Sequence, residues 1–339
     1  APGEDSVFWF DLKFDGGVEN AVYLALHDTD GRTLWSGEST VQAAMLEDAS
    51  YGYWLAEKDG LTVWWCESGW KVGRSRPAPS RPSNGRSTPP VRITAARGEY
   101  EAAQVVLQPS QDLDLLHVEF GPWRAPRKAS SLPTVRIEEV AYVHVTQPTD
   151  DTCVRGWYPD PLPPLKTPLS LRRYSNQPLW LTFWVPRETV AGDYKSSIKL
   201  RTTAGGVEVP LVLHVYDFEL PRETHLRSAL GLGAGAINAY HKLTNEDDKL
   251  AVFEKYLQNF VEHRISPYSF YDHAPIDVRF VGEGTNARAV VDFSKFDPAA
   301  ERWLGKGGFN SFVLPLQGMG GGTFHSRHLG NIAGYQEGT

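Results

Sequence analysis

The side chains whose types and spacing suit chemistry fall in the last third of this 339-residue chain. Asn238 and His241 close the segment GLGAGAINAYH, Tyr271, Asp272 and His273 stand in YDHAP, and Gln317, His325 and His328 in QGMGGGTFHSRHLG. An aspartate beside a histidine can orient a hydroxyl or exchange a proton with it. Each residue also has a duller use, since a loop aspartate commonly closes an Asx-turn and an exposed histidine is commonly just solvated. Other chemistries fit less well. His325 and His328 have the spacing of two metal ligands on one helix face, but the glycines around them oppose a helix, and no metal site is expected. Glycines at 231, 233 and 235 suggest a phosphate cradle, but position 236 is alanine, so no GxGxxG forms and no nucleotide cofactor is expected. No GxSxG elbow exists, and Cys66 and Cys153 stand far apart with no CxxC pair. Asp28-Thr29-Asp30-Gly31 begins like a calcium loop but lacks a correctly placed closing acid, which leaves a β-turn.

The elements that must hold these groups change character near Pro221. Residues 1–220 read as antiparallel β-structure. In PLWLTFWVP, Leu179, Leu181, Phe183 and Val185 share one face of a strand. In VEVPLVLHVYDF, Val207, Val209, Leu211, Leu213 and Val215 do the same, and TTAGG between GDYKSSIKL and that strand is a hairpin turn. EKDG joins two more aromatic strands. Many short strands with frequent turns predict a β-sandwich. Residues 1–60 read as extra hairpins, and 73–90 (GRSRPAPSRPSNGRSTPP) as an exposed loop or linker whose arginines are solvated. GWYPDPLPPL, with four prolines, cannot be an interior strand or a helix.

After Pro221 the pattern reads strand, helix, strand, helix, strand. HLRSALGLG, ISPYSF and FNSFVLPLQG are the expected strands. Residues 244–264 are the main helix, capped by Thr244 with Asp247 three residues on, and Asp297-Pro298 opens a second, short one. Such alternation predicts the first part of a parallel α/β unit over 221–339, with Asn238, Tyr271, Asp272, His273, Gln317 and His325 at the strand ends, where ligands gather in such folds.

Composition bounds the function. A net charge of −7 argues against a nucleic-acid partner. No apolar run approaches the roughly 20 residues of a membrane span. The 11 tryptophans within 12% aromatic content suit either a sandwich core or flat faces against pyranose rings. The start at Ala1, without methionine, reads as a mature or trimmed product.

WWCESGWKV, ARGEYEAAQVVLQP, WYPDPLPPL, NQPLWLTFWVPRETVAGDYKSSIKL, HRISPYSF and GYQEGT together resemble glycoside hydrolase family 123 and its close relatives, over roughly Val63 to Thr339. The resemblance implies an N-terminal antiparallel β-sandwich followed by the first strands and helices of a (β/α)8 TIM barrel. It implies an exo-β-N-acetylgalactosaminidase, secreted or periplasmic, acting on a glycan or glycoconjugate with terminal β-GalNAc and needing no cofactor or metal. It also implies an ordered WYPDPLPPL loop. In that family an Asp polarises the substrate's 2-acetamido group, which attacks the anomeric carbon, while the adjacent Glu serves as acid and then base, outside the usual two-carboxylate scheme. No Asp followed by Glu occurs in these 339 residues. The pair is expected beyond Thr339, with Tyr271, Asp272, His273, Asn238, Gln317 and His325 as substrate-orienting groups. The rivals are a non-catalytic carbohydrate-binding or scaffold protein and a related glycosidase of other sugar specificity.

Overall fold

A computed structural model describes residues 19–42, 48, 50–82, 89–149, 155–221, 224–282 and 284–314, and the backbone of four short strands after 320. The chain divides into two compact units, Ala1–Leu220 and Pro221–Thr339.

In the first unit, β1 (Glu19–His27) and β2 (Thr33–Gln42) form a two-stranded sheet of their own. The following strands are β3 (Tyr53–Lys58), β4 (Leu61–Glu67), β5 (Val91–Arg97), β6 (Glu99–Pro109), β7 (Leu113–Phe120) and β8 (Thr134–Glu139). Then come β9 (Tyr142–Val145), β10 (Gly156–Pro159), β11 (Leu169–Leu171), β12 (Gln177–Val185), β13 (Gly192–Thr202) and β14 (Gly206–Glu219). They build a sandwich of two five-stranded sheets, ordered β11-β7-β13-β14-β5 and β3-β4-β6-β12-β8. All pairs are antiparallel except β14 with β5. The alternation read from the sequence decides what lies between the layers. Leu179, Leu181, Phe183 and Val185 of β12 meet Val209, Leu211, Leu213 and Val215 of β14 in one core with Leu115, Ile198 and Leu200. Each such side chain contributes about 1.5–3 kcal/mol on burial.

Two loops are built into the fold, the first against the expectation of an exposed linker and the second as an ordered segment, as expected. In the proline-rich run after Gly73, Arg76 is wholly buried, not solvated. Its guanidinium lies 4.3 Å from the Tyr51 ring and 4.4 Å from that of Trp64, and its Nη2 donates to the Tyr51 carbonyl oxygen at 3.0 Å. Asn176 donates to the carbonyls of Gly73 and Arg76, and Gln108 to that of Arg76, so this part of the loop straps the outer face of β4. Beneath it sit Trp64, Cys66, Val72 and Val106. Burial pushes the free Cys66 thiol up to about 12, and its sequence companion Cys153 lies outside the described residues. GWYPDPLPPL is also ordered. β10 pairs with β9, and the Pro161 and Pro163 carbonyls accept from Ala141 and Glu139. Proline can accept in a ladder but not donate, so the segment lies along an edge.

The second unit corrects the expected architecture. Helices α1 (Ala234–His241), α2 (Glu246–Glu262) and α3 (Phe296–Ala300), the last continuing as a π-turn through Lys306, surround a small core of Phe253, Leu257, Phe270, Phe296, Trp303 and Phe309. Its regular strands are antiparallel: β15 (Asp277–Val281) with β16 (Arg288–Asp292), then Gly321–Thr323 with Ser326–His328 and Asn331–Ile332 with Tyr335–Gln336. Among the described residues of this unit no two strands run parallel, and the described residues taken together are mostly β-sheet with three short helices, which is not a TIM barrel. The three segments expected as parallel strands are held by isolated bonds. Leu230 N donates to Ser266 O, Tyr268 N to Leu230 O and Val313 N to Tyr268 O, with one bridge, Leu230 to Pro267. The Tyr268 carbonyl accepts from Val313 and not from Leu232, so the bridge does not extend into a ladder, and the chain turns into α1 two residues after Leu232.

Candidate functional site

The candidate residues of the second unit are fixed by the start of α1. Its N-cap is Gly233, which has no side chain to satisfy the first amides. Asp272 supplies the acceptor from across the unit: its Oδ2 takes a hydrogen bond from Ala234 N at 2.7 Å, while Oδ1 accepts from the Ser269 hydroxyl. A carboxylate at a helix N-terminus also meets the positive end of the helix dipole. Both carboxylate oxygens therefore have local partners, and Asp272 holds α1 in place. Tyr271 donates from its hydroxyl to the Val313 carbonyl, and its ring packs edge-on against Phe270 and Phe296. Burial pushes that phenol above its ordinary range.

His273 and Asn238 differ from this pair. The His273 ring lies 5.2 Å from Phe253, and its Nε2 is buried with no hydrogen-bond partner. It lines a cavity of about 280 Å³ with Phe253, Leu257, Phe270 and Trp303. Lys295, Glu254 and Arg302 add charge to that lining, and Arg302 holds Glu254 through both of its terminal nitrogens. Asn238, on α1, likewise has a buried, unpartnered Oδ1. An orphaned buried polar atom costs about 1–3 kcal/mol, so these two buried atoms have hydrogen-bonding capacity left for a ligand. His241 is already occupied, 2.9 Å from the Tyr256 hydroxyl. Gln317 and His325 lie outside the described residues, as does the His328 side chain. No group of three or more His, Cys, Asp or Glu able to hold a metal occurs among the described residues.

Sequence reasoning did not find the Ser269 hydroxyl, the Glu254–Arg302 pair or Arg76. Ser269 stands three residues before Asp272, a spacing that suits a side-chain contact within one turn. Nothing local ties Glu254 to Arg302 across the intervening sequence.

The first part of the protein is thus a β-sandwich domain, and polar groups stand at the loops of the second unit. Residues 76–202 match the glycoside hydrolase 123 N-terminal domain, in keeping with the resemblance read from the sequence. No curated protein matches in sequence. Among solved structures, a family 123 glycoside hydrolase from Clostridium perfringens is similar at 13% identity and a TM-score of 0.49, over 67% of this chain and 43% of that one. This chain thus spans less than half the length of that enzyme. The secreted serine protease VesC from Vibrio cholerae is similar at 10% identity and a TM-score of 0.23, over 39% of this chain and 23% of that one. The PapD-like domain 7 of human CEP192 is similar at 16% identity and a TM-score of 0.21, over 42% and 96%.

Proposed function

We propose that this chain is the N-terminal part of a glycoside hydrolase that removes terminal β-linked N-acetylgalactosamine. The observation that carries the reading is the match of residues 76–202 to the family 123 N-terminal domain. The proposed chemistry is substrate-assisted and retaining, with the 2-acetamido oxygen as nucleophile. The Asp-Glu pair it needs is not within these 339 residues, so this chain contributes positioning. His273 Nε2 and Asn238 Oδ1, two buried atoms of the second unit without partners, meet sugar hydroxyls. Asp272 acts one step removed, through α1. The proposed location is secreted or periplasmic, where extracellular glycans are met.

The test is hydrolysis of aryl β-GalNAc, β-GlcNAc and β-Gal glycosides by the intact protein. Cleavage of the GalNAc glycoside is expected, and cleavage of only the other two would overturn the substrate assignment. His273→Phe keeps the ring and removes the orphaned nitrogen. It should lower turnover at least about tenfold, the loss of one ligand hydrogen bond, with no fall in melting temperature. Unchanged kinetics would remove His273 from the site. The second reading is a carbohydrate-binding protein without catalysis. Binding of GalNAc with no hydrolysis of any of the three glycosides would establish it over the first.

A further inference from the structure

The outer face of the β7-β13-β14-β5 sheet carries a feature that the core does not require. Strand alternation points His117 and Glu119 of β7, Lys195, Ser197, Lys199 and Arg201 of β13, and Glu208 and Pro210 of β14 away from the sandwich interior. Two hollows lie along it and meet at Lys199 and Glu208. One, of about 990 Å³, runs from Lys58 to Arg201 at the β13–β14 turn, and the other, of about 390 Å³, runs from Arg124 to Pro210. Farther along β14, on the same face, stand His214, Tyr216 and Phe218. The Tyr216 and Phe218 rings are exposed and stacked, 5.6 Å apart and 18° from parallel. His214 packs edge-on to Tyr216 at 5.0 Å and is held by Asp193 at 2.7 Å. From Glu208 to Tyr216 is eight residues of strand, about 27 Å.

We infer that this face is a binding groove for an anionic oligosaccharide, a sulfated or carboxylated chain. Charge carries the argument. In a chain of net −7, Arg92, Arg124, Lys195, Lys199 and Arg201 outnumber Glu119, Glu208 and Asp193 around the groove, while Lys58 is taken up by Asp59 and the Gly206 carbonyl. Arg201 is exposed opposite His117, and the Lys199–Glu119 contact, at 3.7 Å between half-exposed groups, is too weak to hold the lysine from a ligand. Acids between the cations can accept hydrogen bonds from the hydroxyls of a sugar, which the phosphodiester backbone of a DNA strand does not offer. Stacked aromatic rings at one end provide a flat apolar surface for a pyranose face. The groove lies wholly within the first unit and does not rest on the hydrolase reading.

The experiment is titration of the intact protein with a fluorescent heparin-derived hexasaccharide at low salt. Saturable binding is expected, with affinity falling as salt rises. The double variant Lys199→Glu/Arg201→Glu should weaken it at least about tenfold through repulsion at the groove, and Tyr216→Ala should weaken it about fivefold through loss of stacking. Lys255→Glu on α2, a charge reversal outside the groove, should leave it unchanged. All these side chains are exposed, so melting temperatures should match the parent's. No saturable binding, an equal loss in Lys255→Glu, or equally tight binding of an oligothymidylate of the same charge would overturn the proposal.

Discussion

Arg76 shows how much one residue's surroundings decide. In sequence it is one of several arginines in a run of Pro, Ser and Gly, the composition of a solvated linker. In the fold its guanidinium is enclosed by the Tyr51 and Trp64 rings, and burial depresses its affinity for its proton. Two of its nitrogens, Nε and Nη1, have no hydrogen-bond partner. The charge gains from the two ring faces, about 2 kcal/mol or more where desolvated, but loses several kcal/mol of hydration. What the strap draws from Arg76 is therefore mainly volume and apolar contact along the stem. Arg76→Ala should cost about 3 kcal/mol in urea unfolding by opening a cavity, and Arg76→Met should cost less than half of that. Equal losses would show that the ring–cation contact, rather than filling, holds the strap. The same weighing applies at Asp272. Sequence marks it as a site residue, and the structure gives both of its oxygens to Ala234 and Ser269.

At the scale of elements, legibility followed the range of the interactions. The EKDG turn was readable because its conformation is set by its own residues. Asp59 and Gly60 take φ of 51° and 76°, the left-handed pair of a two-residue hairpin between β3 and β4. Gly60→Ala should therefore lower stability by about 1 kcal/mol, the cost of a Cβ at positive φ. An unchanged denaturation midpoint would mean that the turn relaxes. The β13–β14 hairpin was readable for a similar reason, since its alternating apolar positions allow one register only. The cap of α2 was read one residue early: Asn245, not Thr244, accepts from the amides of Asp247 and Asp248. The parallel α/β reading of 221–339 failed at longer range. Apolar runs between helices fit a buried parallel strand, but equally an extended segment packed against a small core. Leu230, Pro267 and Val313 take the second course. The site was half legible, because residue types reveal which side chains have chemistry and not which already have partners.

At the scale of the whole molecule, the cores are unequal. The first unit buries two five-stranded layers face to face, whereas the second gathers a few aromatic rings around three helices. Among the described residues β1 and β2 have no strand partner but each other, and Tyr23, Leu26, Leu34 and Trp35 on them are exposed. A two-stranded hairpin alone is marginal in water, so its amides should open without the sandwich unfolding. The inner strands β6, β12, β13 and β14, each bonded on both sides, should open only with the global transition. Hydrogen exchange should then rank the chain, with residues 19–42 exchanging at least about a hundredfold faster than the β12 amides, a gap of about 3 kcal/mol in opening free energy. Protection of β1–β2 equal to that of β12 would mean that the hairpin is docked onto a surface which covers Trp35 and Leu26. Those side chains would then belong to an interface rather than to solvent.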